Sequence, residues 1–237
     1  MRGLLLLLFL LMNAFWASGQ YFQFSQYNFT SQRVNPAAPA MSDYASLGFI
    51  YRNQGTASDI KLNSNLLSAS YPLVNRNTGK RWSGVGLTLM DDRSGGIFNV
   101  QEASVAYAVN VTLGQFQSLA LGFKGLYQQR RFDLGGLYTG SQYVTDRGFD
   151  ESLFNGENIG TLRSDYFTFS AGLGWQHVDR EGVKIASWSL SLYDFNKPDE
   201  SFLGADNPLN SSWVAAGSFR AFKESNMSVF PEVLYTR

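Results

Sequence analysis

Residues 164–178, SDYFTFSAGLGWQHV, put Phe167, Phe169, Ala171, Leu173 and Trp175 on one phase of a two-residue period, and Thr168, Ser170, Gly172 and Gly174 on the other. An extended chain turns successive side chains to opposite faces, so this stretch predicts a strand with one apolar face and one small, polar face. The pattern recurs along the chain. Ala45, Leu47, Phe49 and Tyr51 share a side in 44–53, as do Leu67, Ala69 and Tyr71 in 65–71. Val85, Leu87 and Leu89 oppose Gly84, Gly86 and Thr88; Val105, Tyr107, Val109 and Val111 oppose Ser104, Ala106, Ala108 and Asn110. Leu119, Leu121, Phe123 and Tyr127 oppose Ala120, Gly122 and Lys124, and Ala186, Trp188, Leu190 and Leu192 oppose Ser187, Ser189 and Ser191. Two last strands are expected near 213–222 and 227–235.

Two architectures use such strands. A soluble sandwich buries the apolar faces of two sheets against each other and leaves charge outside. An outer-membrane barrel turns the apolar face to lipid and fills its lumen with small and polar side chains. Here the second face is Ser, Gly, Ala and Thr with few charges, which favours the barrel. The connections agree. If 44–53 runs outward, the inner turns fall at 72–81, 112–115, 179–182 and 223–225, mostly short. The outer ones fall at 54–60, 92–99, 131–163 and 195–211, and two are long, the asymmetry of bacterial outer-membrane barrels. The fold class expected is therefore all-β, an antiparallel transmembrane β-barrel of outer-membrane type. About nine strands are present, an odd number for a single-chain bacterial barrel. The expectation is an incomplete barrel, either a truncated product or one whose strands this reading merges, with its sheet open between the Tyr44 and Tyr235 strands.

Composition narrows the function. Lys and Arg number 19 against 19 Asp and Glu, so the overall balance shows no nucleic-acid footprint. The chain has no cysteine, which excludes disulfides, thiolate metal sites and a lipoprotein anchor on it. Its one histidine, His177, falls in the apolar phase near a strand end and reads as an interfacial ring rather than a catalytic base. No G-x-S-x-G context accompanies it, so catalytic residues, metal ligands and cofactors are all expected to be none. Asp91-Asp92 reads as a solvated hairpin turn rather than a calcium site. Gly84-Val85-Gly86 and Gly172-Leu173-Gly174 sit inside strands and lack a following Lys-Ser/Thr. They read as positions where lumen contents or neighbouring strands approach closely.

Residues 1–19 carry Arg2, the apolar run 4–12 and Ala17-Ser18-Gly19, the pattern of a signal peptide cleaved before Gln20. Residues 20–43 follow as an extended segment with Asn35-Pro36 and Pro39, expected to cap or plug the barrel rather than form helix. Residues 44–237 form the barrel domain, with the long outer loop 131–163. A connection of that length is usually functional or disordered, and its aromatics argue for order. Arg131, Phe132, Tyr138, Tyr143 and Phe149 are therefore the candidate partner-binding residues.

The N-terminal stretch resembles the opening of the PorP/SprF family of outer-membrane proteins, F-S-Q-Y followed by N-P-A. Phe24, Ser25, Gln26 and Tyr27, then Asn35, Pro36 and Ala37, match it. Tyr51-Arg52-Asn53-Gln54, Gln142-Tyr143 with Gly148-Phe149-Asp150, and Asn196-Lys197-Pro198 with Ser201-Phe202 are similar to later phrases of the family. Departures are Ala38-Pro39-Ala40 where the family has Tyr-Ala-Gly, and Gly55 where it has Trp. The resemblance implies a non-enzymatic component of type IX protein secretion, and of gliding motility in some members. Such a component sits in the outer membrane of a Gram-negative bacterium and helps export or surface attachment of a partner protein. Implied partners are outer-membrane lipid and a secreted surface protein or type IX secretion components, with no nucleic acid. The alternative is a porin-like channel for small solutes, which would favour charged residues facing the lumen. An outer-membrane enzyme and a secreted carbohydrate-binding sandwich are the other classes weighed.

Overall fold

The computed structural model describes residues 30–55, 61–133, 140–150, 152–153, 161–202, 204, 206–224 and 227–237. Residues 1–29, which include the stretch 1–19 expected to be a signal peptide and Phe24, Ser25, Gln26 and Tyr27, lie outside the described residues. The strands are β1 (Ser46–Gly55), β2 (Lys61–Val74), β3 (Arg81–Ser94), β4 (Phe98–Thr112), β5 (Gln117–Asp133), β6 (Tyr143–Val144) and β7 (Gly148–Phe149). They continue as β8 (Thr161–Val178), β9 (Lys184–Tyr193), β10 (Ser212–Phe219), β11 (Phe222–Glu224), β12 (Met227–Val229) and β13 (Glu232–Thr236). Nine of them form one antiparallel sheet in the order β1-β2-β3-β4-β5-β8-β9-β10-β13, and β1 is not paired with β13. The sheet is open, as an incomplete β-barrel, in agreement with the alternation read from the sequence. Among the described residues no helix is long and apolar enough to cross a membrane.

The two phases separate as their chemistry requires. Leu121, Phe123, Phe167 and Phe169 are exposed on the convex face, while Ala120, Lys124, Thr168 and Ser170 are buried on the concave one. A sheet with its large apolar residues outside and its hydroxyls inside is inverted relative to a water-soluble sandwich.

The end of the strand pattern differs from expectation. The chain leaves the sheet at Arg220, whose guanidinium pairs with Asp179 at 2.9 Å across the neighbouring turn. That hydrogen bond holds the Asp179 carboxyl below its ordinary value. β11 and β12 then form a separate hairpin before β13 returns to β10. The inner connection is therefore a folded one, not a short turn, because the apolar alternation of 222–230 continues in a hairpin outside the main sheet.

The segment expected to be extended contains two helical turns, α1 (Ser31–Val34) and α2 (Ala38–Met41). Asn35 closes the first by donating its N–H to Ser31 O at 2.8 Å, and its Oδ1 accepts from Ala37 N at 2.8 Å. Pro39 lies in the first turn of α2, where a missing N–H breaks no helical bond. The pair fills the concave face: α2 touches β2, β3, β4, β5 and β8, so these strands curl around it. Ala37 and Ala40 pack with Ala108 and Ala120. A Cβ on Gly84 would collide with Pro39 O, one on Gly122 with the Pro36 and Ala37 backbone, and one on Gly172 with Asn35 Oδ1. Of the two close approaches expected at Gly84 and Gly172, a neighbouring strand or the lumen contents, the structure shows the lumen contents, and Gly122, not singled out in the sequence, makes the same contact.

Polar ties fix the plug. Arg33 Nη1 meets Glu102 Oε2 at 2.5 Å with both side chains buried. Tyr193 donates to Arg33 O at 2.7 Å, Ser191 to Val34 O at 2.9 Å, and Gln32 Nε2 donates to Ala69 O at 2.7 Å. Arg81 closes the inner end, donating to Met41 O at 2.6 Å and pairing with Asp43 at 3.1 Å.

Two expected outcomes test this seating. Arg33→Met strands the buried Glu102 carboxylate and should cost about 3–5 kcal/mol, largely recovered by adding Glu102→Leu. Urea unfolding of the three proteins in vesicles measures it, and an unchanged midpoint for Arg33→Met contradicts it. Gly122→Val should overpack the interface by about 1–3 kcal/mol and speed amide exchange at Ala37 and Ala40. Unchanged exchange there would show that the plug does not lie against β5.

Candidate functional site

Beyond the plug, towards the outer end, the concave face encloses a cavity of about 300 Å³. The inward phase of the strands supplies its charges: Glu102 from β4, and Lys124 and Arg130 from β5, facing Arg33 of the plug and Asp194 and Glu200 of the 194–211 connection. Lys124 is 3% exposed, and its ammonium stands 4.4 Å from the centre of the Tyr193 ring. A buried ammonium over an aromatic face gains cation–π attraction in place of lost hydration. The Thr168 hydroxyl donates to Asp194, and Arg130 pairs with Glu200 at 2.5 Å. The six charges balance, as a confined polar interior requires. Ser170 Oγ and Ser212 Oγ have no hydrogen-bond partner among the described residues, so the cavity offers positions for water. The expectation of an inward face with few charges is thus corrected: it is small where the plug lies and carries a cluster of charges above it.

The 194–211 connection covers this cavity. Asp194 and Lys197 adopt positive φ (56° and 44°), which ends the extended run of β9. Asn196 then clamps to β8, accepting from Phe169 N and donating to Phe167 O, each at 2.9 Å. The Asp199 bridge to Pro208 and the Glu200 N to Asn207 O bond at 3.1 Å make the rest a tight lobe. Its Phe202 ring meets Phe132 edge-on at 5.2 Å.

The candidate residues divide between places. Arg131 and Phe132 belong to β5 rather than to a loop, and as neighbours in a strand they face opposite ways. Arg131 is exposed. Phe132 points inward against Phe98 at 4.5 Å and against Phe202. Strand pairing to Asp133 opposite Thr161 lengthens the wall on both sides of the connection, which therefore begins after Asp133. Tyr143 and Phe149 face each other across the β6–β7 hairpin with rings 5.3 Å apart, both more than half exposed. Asp150 braces this hairpin: Asp150 N donates to Gln142 O, and the Ser152 hydroxyl and N–H donate to the Asp150 carboxylate, holding its pKa below the ordinary value. Tyr138 lies outside the described residues. Asn35 and Pro36 sit in the plug, with Asn35 Nδ2 donating to Leu173 O at 3.0 Å.

His177 stacks near Trp175, rings 6.2 Å apart and nearly parallel, at the inner end of β8. Asp91 pairs with Arg93 at 2.9 Å. Of the cavity residues, Arg33, Glu102, Tyr193 and Asp194 escape the sequence reading, which places Lys124 in the inward phase without a role. The available signal is that Glu102 and Lys124 fall in the same phase as Ser104, Ala106, Ala108 and Asn110 of β4 and Ser118, Ala120 and Gly122 of β5.

No curated protein matches the chain. The family model described as type IX secretion system membrane protein PorP/SprF matches residues 17–237. The chain belongs to the PorP/SprF family of type IX secretion system membrane proteins.

Proposed function

We propose that this chain is a non-enzymatic component of type IX secretion that resides in the outer membrane after cleavage of residues 1–19. There it helps a secreted protein to be exported or held at the cell surface, in a machinery that also serves gliding motility in some family members. The single observation that carries this reading is the division of labour along the barrel axis. The plug occupies the concave face of the wall, whereas the 134–160 connection carries an exposed aromatic hairpin, Tyr143 against Phe149. A filled lumen supports a docking protein over the porin-like alternative, and exposed aromatic rings supply contact area at low entropic cost. Arg131, exposed at the adjoining end of β5, would border this surface; Tyr138 remains a proposed partner-binding residue on its sequence alone, and outer-membrane lipid would surround the apolar belt below.

Replacing 134–160 by a short turn should leave the protein inserted while lowering retention of its partner at least about tenfold, a loss of about 1.4 kcal/mol. The measurement is the surface amount of whichever secreted protein disappears from cells lacking this chain; normal retention by the shortened protein would place the interface elsewhere. Phe169→Arg puts a charge on the convex face between Phe123 and Phe195. It should cost about 2–4 kcal/mol in lipid if that position lies near the midplane. Folding titrations in vesicles read the loss directly, and an unchanged free energy would contradict lipid contact on this face.

A further inference from the structure

β8 is the tallest strand of the sheet and its neighbour falls short of it. β8 has 18 residues and β9 has 10. β5 follows β8 to Thr161, but the β8 to β9 ladder stops at Ala171 opposite Leu192. The outer half of β8 is thus paired with a strand on one edge only.

The chain itself caps the first rungs of the open edge. Phe169 O accepts from Phe195 N at 3.2 Å, and the Asn196 amide takes Phe169 N and Phe167 O. A primary amide here occupies the place of a partner strand's peptide group. Alternate residues of a strand present both backbone groups to the same side. Arg163 and Asp165 therefore turn theirs the same way as Phe167 and Phe169, away from β5. Among the described residues nothing hydrogen-bonds to those groups. The positive φ at Asp194 and Lys197 directs the chain over the cavity, so β9 does not rise to meet them.

The height of this edge identifies its surroundings. Below it the convex face shows Phe169, Phe167 and Tyr127; beside it the outward residues become Asp165 and Arg163, paired at 2.8 Å. Unpaired backbone groups in hydrocarbon cost several kcal/mol each, so the change from rings to charges marks where lipid ends. Long straight edges are normally guarded by proline, bulges or unpaired charges. The guard here is one self-neutralised ion pair.

We infer that residues 163–167 of β8 form a strand-addition site for the secreted partner protein, which supplies an extended segment of about five residues in line with β9. The segment is weakly charged, because the Arg163–Asp165 pair offers no net charge to complement. It is apolar on the side that lies against Phe167 and the Phe195 ring. This inference rests on the proposal that the outer rim faces a secreted partner.

The test places the photo-crosslinking residue benzoylphenylalanine at position 167, and separately at position 143, of the full chain in its native cells, with the crosslinked peptides identified by mass spectrometry. Adducts from 167 should map to an extended segment of a secreted protein. They should fall about tenfold in Asp165→Pro, which removes an edge N–H but leaves the bonds of Ser164 and Tyr166 to β5. Arg163→Pro, one rung higher, should give the same loss if the first variant folds poorly. In the unmutated protein, the amides of Arg163, Asp165 and Phe167 should exchange slowly in native outer membranes and fast in the purified chain. No adduct at 167, adducts only to residues 154–160 or to a second copy, insensitivity to both proline variants, or fast exchange in both settings would each overturn strand addition. Adducts at 143 with none at 167 leave the partner-facing rim standing and remove this inference; none at either position removes both.

Discussion

The backbone of the plug lies in contact with the backbone of the wall. Pro36, Ala37 and Pro39 rest against Gly84, Gly122 and Gly172 so closely that a single Cβ at any of these glycines would intrude. This contact constrains the rest. It requires small residues on the inward phase of β3, β5 and β8 where the plug lies, so Val85, Leu87, Leu121, Phe123, Phe167 and Phe169 stand on the convex face, while larger inward residues such as Met90, Leu126 and Tyr166 occur only above the plug contact. It also explains the Ala37, Ala40, Ala108 and Ala120 cluster, where methyl groups fill the little space left. The interior is thus held by close approach and by hydrogen bonds to plug carbonyls, with few large side chains to bury.

Above the alanine layer the packing problem changes sign. Without plug backbone to fill it, the lumen contains Arg33, Glu102, Lys124, Arg130, Asp194 and Glu200, whose charges must compensate one another. The Arg33–Glu102 pair ties the plug to β4, and the Arg130–Glu200 pair ties β5 to the covering lobe. One cluster therefore couples the N-terminal segment, the wall and the outer connection.

How much of this the sequence discloses depends on length and on lipid. β5 and β8 are legible because their middle residues obey a two-residue period over many turns of side chain. Their outer ends are not: residues 128–133, QQRRFD, carry no apolar alternation once the wall rises past its apolar belt, so Arg131 and Phe132 read as loop. The helical turns around Asn35-Pro36 are four residues each, shorter than any period can reveal. The β11–β12 hairpin is hidden for the opposite reason, since Phe222, Met227 and Val229 continue an alternation that the chain has already left. Lys124 could be placed in the inward phase, but its burial over Tyr193 depends on a tertiary contact between β5 and β9.

The central claim is that one wall separates an apolar exterior from a filled interior. Because the chain contains no cysteine, single cysteines can be introduced along β8 from Tyr166 to Leu173 and spin-labelled without background. Collision rates with lipid-soluble oxygen and with a water-soluble nickel reagent then report the surroundings of each site in bilayers. Oxygen access should peak at 167, 169, 171 and 173, while labels at 168, 170 and 172 should meet neither reagent freely because the plug and its charges lie against them. Nickel access at the even positions, or no alternation at all, would contradict the filled barrel wall.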